Sequence, residues 1–345
     1  MLNLFLDEKL AIKPANHLSI ILINKIERML IMSINKKKMQ FANFNITYGP
    51  NEEPMLEHFE DIIYPAFISQ ICRERPKDEN KPSFYFDNVK IKEIDNDYVM
   101  VGNYVKDTQY DVHTTVKEGK LVSSPAHIPT APYSRYIIFL RNHRMVLVRN
   151  ESQSPDIRSF QATVRYILNK YIRNANKSIH NKNEKLPHAL VNIVDIPLPH
   201  DIESVLVSVS KINWIKFRFF PLNNDFNPIP IAQDMDKQMK RLKSKHAHIE
   251  FKSPDSKSEI KSLIENSAGL AVATLEVQDS NGNKTKIKQD KFTSNKDIAF
   301  ERDILDEDDS YIITQAKKDS VINQVSPDNN TLYNRFKKAI SKFVN

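Results

Sequence analysis

Three short stretches hold side chains whose types and spacing could do chemistry. In the run Asn213-Trp214-Ile215-Lys216-Phe217-Arg218-Phe219-Phe220, extended backbone sends alternate side chains to opposite faces. Trp214, Lys216, Arg218 and Phe220 then share one face, with Ile215, Phe217 and Phe219 on the other. The first face has the parts to stack bases on its rings and hold phosphates with its cations. The competing expectation is that a helix covers it. Burial stabilises by roughly 25 cal/mol per Å² of apolar area, so the reading for the large Trp214 ring is burial. Further on, Glu250 and Lys252 lie two apart and share a face, as do His246 and His248.

With an upstream acid, Asp195 or Asp225, Glu250 could help hold Mg²⁺ while Lys252 steadies charge developing on a phosphate. That set resembles the PD-(D/E)-x-K pattern of metal-dependent nucleases, which makes a nuclease one alternative. E-x-K is, however, a frequent triplet in a chain that is 27% charged. The two histidines lack an indicated third ligand, so no metal and no cofactor is expected.

The strongest charge signal is regional. Residues 135–185 carry eleven Lys or Arg against Glu151, Asp156 and Glu184, a net of +8, whereas the whole chain carries +7. A localised positive field concentrates phosphate polyanions and releases their counterions on binding. The candidate binding residues are therefore Arg135, Arg141, Arg144, Arg149, Arg158, Arg165, Lys170, Arg173 and Lys177, with Lys216 and Arg218 from the aromatic strand. Arg158, Arg165 and Arg173 fall on the outer side of a helix whose inner side is Ile157, Phe160, Val164, Ile167, Leu168 and Tyr171. Ser154 and Pro155 provide its expected start. The acidic run 306–309 reads as a solvated helix start.

Composition excludes more than it identifies. The five glycines, Gly49, Gly102, Gly119, Gly269 and Gly282, are too scattered for a dinucleotide fingerprint, a P-loop or a kinase glycine loop. One cysteine, Cys72, leaves no internal disulfide and no multi-cysteine zinc site, which fits a reducing, cytoplasmic compartment. Thirty-six Lys against 14 Arg, with 32 Asn, points to an AT-rich genome and to a bacterial accessory or defence-type component. Residues 17–34 are apolar but broken by Lys25, Glu27 and Arg28, so they read as an amphipathic helix and no membrane is expected as a partner. Met1, Met32 and Met39 are all candidate starts.

The positioning elements follow from periodicity. Residues 40–48 read as a strand, Leu56, Phe59, Ile62 and Ile63 as a helix, and 83–150 as period-two strands with a hairpin at Asn142-His143. The polar run 174–185 is the expected linker. Beyond it, strand and helix patterns alternate in an order that resembles a ferredoxin-like split βαβ unit. The expected class is α+β: an N-terminal extension (1–38), an antiparallel sheet with a helix (39–180), and a ferredoxin-like βαββαβ-type domain with extra C-terminal helices (186–345). The expected function is noncatalytic DNA or RNA binding through the basic region. The alternative is a subunit whose basic and aromatic faces meet a protein partner or a second copy.

Overall fold

β1 (Asn35–Tyr48) organises the first sheet of the computed structural model, which describes residues 35–74, 82–223, 230–267, 269–292, 296–300 and 309–344. The expected N-terminal helix at 17–34 and the acids 306–308 lie outside the described residues. All described residues but Asn35, Lys36, Ala299 and Phe300 belong to one compact unit.

After β1 come the short β2 (Glu53–Pro54) and a helical run, 55–63, that leads into α1 (Tyr64–Ile68). Leu56, Phe59, Ile62 and Ile63 are all buried there, as their spacing predicts. β3 (Ser83–Ile94), β4 (Asp97–Lys117), β5 (Lys120–Thr130), β6 (Tyr133–Phe139) and β7 (Arg144–Arg149) follow, then α2 (Ile157–Ala175) and β8 (Ala189–Asp195). The β6–β7 hairpin pivots on Asn142 and His143, and His143 takes the left-handed conformation the turn needs (φ 56°). The sheet runs β13-β1-β7-β6-β4-β3, where β13 is Lys296–Phe300. β1 pairs with β7 through Lys38–Asn43 and, on its other edge, with β8 through Ala42–Tyr48.

α2 covers this sheet with Ile157, Phe160, Val164, Ile167, Leu168 and Ile172, all buried. Its cap is Asp156, whose carboxylate accepts from Ser159 N at 2.8 Å, rather than the expected Ser154, which instead accepts from Glu151 N. Phe160 meets Phe86, Tyr104 and Tyr136 at ring separations of 5.3 Å. The Tyr136 ring occupies the space where a side chain at Gly102, its cross-strand partner, would stand.

The second sheet is built from α3 (Pro199–Val207), β9 (Lys211–Phe219), α4 (Pro230–Leu242), β10 (Ala247–Lys252), α5 (Lys257–Ser267), β11 (Ala271–Gln278) and β12 (Lys284–Lys288). Its order is β10-β9-β11-β12. Ile215, Phe217 and Phe219 of β9 pack with Ala273 and Leu275 of β11 under Ile202, Met239, Ile260 and Ile264 from the three helices. The protein is thus α+β, with two antiparallel sheets. The full ferredoxin-like arrangement expected from the element order is not completed by β8–β11. β8 joins the first sheet, and both neighbours of β9 run antiparallel to it. β10 and β11, each antiparallel to β9 between them, run parallel to one another and are joined by α5, so one split βαβ unit is present.

α6 (Asp309–Ala316), α7 (Ser320–Asn323) and α8 (Pro327–Ser341) return to the first sheet. Leu332, Tyr333 and Ile340 enter its core, and the Tyr333 hydroxyl accepts from Tyr98 N at 2.7 Å. Asp309, expected to be a solvated helix start, is 2% exposed. Both of its carboxylate oxygens accept from Arg135 at 2.8 Å, and Lys92 adds a third contact at 2.6 Å. Breaking a buried pair leaves the other charge uncompensated. Asp309→Ala is therefore expected to destabilise by about 3–5 kcal/mol, read as a lower urea midpoint with an unchanged slope. Arg165→Glu on the exposed side of α2 should change stability by less than about 1 kcal/mol.

Candidate nucleic-acid interface

Among the described residues, helices cover one face of the second sheet and none covers the other. Cross-strand register puts Trp214, Lys216 and Arg218 of β9 on the helix-free face, opposite Lys252, Glu250 and His248 of β10. On the other side they face Glu276, Thr274 and Val272 of β11, which in turn oppose Lys286 and Lys288 of β12. Lys284 extends the same row opposite Gln278. This face therefore carries Lys216, Arg218, Lys252, Lys284, Lys286 and Lys288 against Glu250 and Glu276.

Trp214 is half-buried at the centre of this face. The ammonium groups of Lys216 and Lys286 stand 5.5 Å and 5.7 Å from its ring centre. Both are cation–π contacts, so the ring is held in place by charges rather than sealed by a helix. The expected full burial of Trp214 is met only in part, since the ring keeps some exposure. The placement of Phe220 on the same face is corrected: β9 ends at Phe219, and Phe220 is 3% exposed, in the protein interior.

The local field is positive. His248 is held below the usual histidine value, first by partial burial, then by His246, Lys216 and Arg218. The two histidine rings lie 5.5 Å apart. Glu250 pairs with Lys216 at 2.7 Å. That bond from Lys216 is the first cause of its lowered carboxylate pKa. Asp225 lies outside the described residues, and Asp195 stands on β8 of the other sheet. Among the described residues no three His, Cys, Asp or Glu side chains converge in a way that would hold a metal ion.

One end of the face runs into a cleft of about 180 Å³ against the first sheet. Arg218 and Lys288 line it from the second sheet, and Arg158, Gln161 and Asp195 from α2 and β8. Gln289 fixes the two sheets together: it donates to the Asp195 carbonyl at 2.8 Å and accepts from Ala273 N at 2.6 Å. Arg158 pairs with Asp290 beside it. A second, mainly apolar cavity of about 380 Å³ lies elsewhere, walled by Gly49, Pro50, Pro187, Leu190 and Pro221 with Glu52 and Lys243.

Of the predicted binding residues, the fold brings Lys216, Arg218 and Arg158 together. The rest it disperses. Arg135 and Arg144 are buried, at 1% and 3% exposure, so neither meets a ligand from solvent. Arg141 is tied to Asp97 and Asn330, and Arg149 to the carbonyls of Ser152 and Ser154. Arg165 donates to the Val191 carbonyl at 2.9 Å, and Arg173 to that of Asn169 at 3.1 Å. Lys170 and Lys177 are exposed along and beyond α2, away from the second sheet's open face. Sequence reasoning missed Lys284, Lys286 and Lys288. Their signal is the strand alternation K-x-K-x-K, which puts all three on one side.

No family model, no curated protein and no solved structure matches this chain.

Asp195 makes the cleft pH-sensitive. Burial first, then Asp156 and Asp290, push its carboxyl from 3.8 up to about 7, with Arg158 opposing. A carboxyl raised on folding binds its proton more tightly in the native state, so stability falls as pH rises between about 4 and 7. Above that window the full penalty remains. Asp195→Asn should therefore melt close to the parent near pH 4 and several degrees above it at pH 8. A parent and variant whose melting temperatures differ equally at both pH values would contradict this account.

Proposed function

We propose that the open face of the second sheet binds single-stranded nucleic acid without cleaving it. The reading moves the expected basic binding site from residues 135–185 to β9–β12 and the adjoining cleft. Phosphates lie along the lysine row of β12 and against Lys216, Arg218 and Lys252. A base stacks on Trp214, which every nucleobase can do because each has a π-face. The observation that carries the reading is the Trp214 ring, partly exposed and flanked by Lys216 and Lys286 on a sheet face that no described helix covers.

A duplex fits this face less well than a single strand. Reading a duplex calls for an element that enters a groove, and the open face is a broad surface with one ring to stack on. Single strands present unstacked bases and a backbone that can follow a cationic surface. Recognition of this kind is tolerant of sequence, since the lysines contact phosphate and the ring contacts any base.

Trp214 is the only tryptophan, so its fluorescence reports this one site. Titration with oligo-dT or oligo-U at low salt is expected to quench it. Trp214→Ala should lose roughly 1–3 kcal/mol of binding, the value of one stacked base. Lys286→Glu should weaken all sequences alike and flatten the salt dependence by at least about 0.7 in log–log slope, one single-strand phosphate contact. Arg173→Glu, far from the face, should leave binding within about twofold. Quenching that is absent at low salt, or binding that depends on Arg173 and not on Lys286, would refute the assignment.

A further inference from the structure

We propose that the cleft where the open face meets α2 and β8 takes up one unpaired base of the bound strand, preferring adenine or cytosine, with the Asp195 carboxyl reading the base edge. This preference rests on the single-strand reading of the open face and adds base selection at one position of it. Trp214 and Arg218 are four residues apart on β9, about 13 Å along the strand. The ring and the cleft therefore lie within reach of one short oligonucleotide.

The cleft has the make-up of a base pocket. Its floor is apolar: Ile157 of α2 and Ile193 and Val194 of β8 are buried, and Val272 of β11 adjoins them. Arg218 and Lys288 are exposed at the rim, where they can hold the phosphates flanking an inserted base. Pockets for drug-sized ligands measure roughly 300–1,000 Å³, and the smaller space of about 180 Å³ here suits a single base. An unpaired base offers its Watson–Crick and Hoogsteen edges to side chains. A pocket reads such an edge through polar groups that have no other partner.

Asp195 is a group of that kind. Gln289 takes its backbone carbonyl, but no hydrogen bond or ion pair reaches its carboxyl among the described residues. Arg158 and Asp290 line the cleft with it and pair with each other, and Asp156 caps α2 beside them. Burial, then the like charges of Asp156 and Asp290, hold the proton on Asp195 up to about pH 7 against the pull of Arg158. A carboxyl that keeps its proton sets one O–H donor beside one acceptor oxygen. Adenine and cytosine present the matching edge, a basic ring nitrogen next to an amino group. Thymine and guanine carry protons on the corresponding ring nitrogens and offer only carbonyl oxygens as acceptors there, which are weaker bases. Once Asp195 ionises, its two acceptor oxygens face the ring-nitrogen lone pair of adenine or cytosine, and the fit is lost.

Trp214 fluorescence titrations with short oligo-dA, oligo-dC and oligo-dT of equal length test this. The sharper comparison is dC with dT, two pyrimidines of one size. At pH 6 oligo-dC and oligo-dA should each bind at least about fivefold tighter than oligo-dT, the low end for one two-bond base contact. At pH 8 the advantage should shrink to within about twofold. Titration of His248 on the open face acts on the phosphates of every sequence alike, so it drops out of the ratio. Asp195→Asn presents a donor and an acceptor at every pH and should keep the advantage at both, whereas Asp195→Ala should lose it at both. Equal affinities at pH 6, an undiminished advantage at pH 8 in the parent, or an advantage that survives in Asp195→Ala would overturn the base preference and leave the open-face reading standing. Absence of quenching by all three oligonucleotides would sink both.

Discussion

β1 carries fourteen residues of extended backbone, and buried peptide groups along such a strand must find partners on both edges. One edge is filled by β7 over Lys38–Asn43, while the opposite edge takes β8 over Ala42–Tyr48. Asn43, Asn45 and Thr47 are buried along with the apolar Phe44, Ile46 and Tyr48, so neither face of this half is left to solvent. Much else follows from that demand. With β8 captured, the second sheet closes with β12 instead, and β12 brings the alternating lysines. The Asp195 carbonyl at the end of β8 then receives Gln289, which fixes where the open face meets α2.

Charged side chains of one type serve unlike ends in this protein. Arg135 spans the inside of the molecule, satisfied by Asp309 and Asn103, and ties a helix distant in sequence to the middle of the first sheet. Its guanidinium fork suits a carboxylate in two contacts, which a lysine could not reproduce. Lys216 and Lys286 do the opposite and stay near solvent against the Trp214 ring. Their stems cover apolar surface while their heads remain hydrated. A count of basic residues along the chain cannot separate these two uses, because burial is decided by which sheet face a strand position occupies.

The two sheets also divide polar and apolar exposure between them. The helix-free side of the second sheet is cationic, and its ring is protected by flanking charges. The β4–β5 arm, residues 108–130, is neutral and shows Tyr110, Val116, Leu121 and Ile128 openly. A surface of the first kind remains soluble without a cover, whereas one of the second kind is stabilised only by further burial.

Local patterns settled a good deal on their own. The alternation in β9, the buried face of α2, the Asn142-His143 hairpin and the α+β class are all legible in the sequence, because each rests on periodicity or turn chemistry within about twenty residues. The alternation even defines the correct content of the open face, apart from Phe220. The fate of that face was not legible. Whether Trp214 sits under a helix depends on the side from which α3, α4 and α5 approach, and apolar Ile215, Phe217 and Phe219 attract them to the other side. The burial of Arg135 and Asp309, 174 residues apart, is likewise invisible to any local window. So is the capture of β8, since strand partners are chosen by unfilled edges and not by the residues of the strand itself. The sequence determined the elements and their faces; only the tertiary structure decided which faces meet, because that choice is made by long-range burial and backbone pairing.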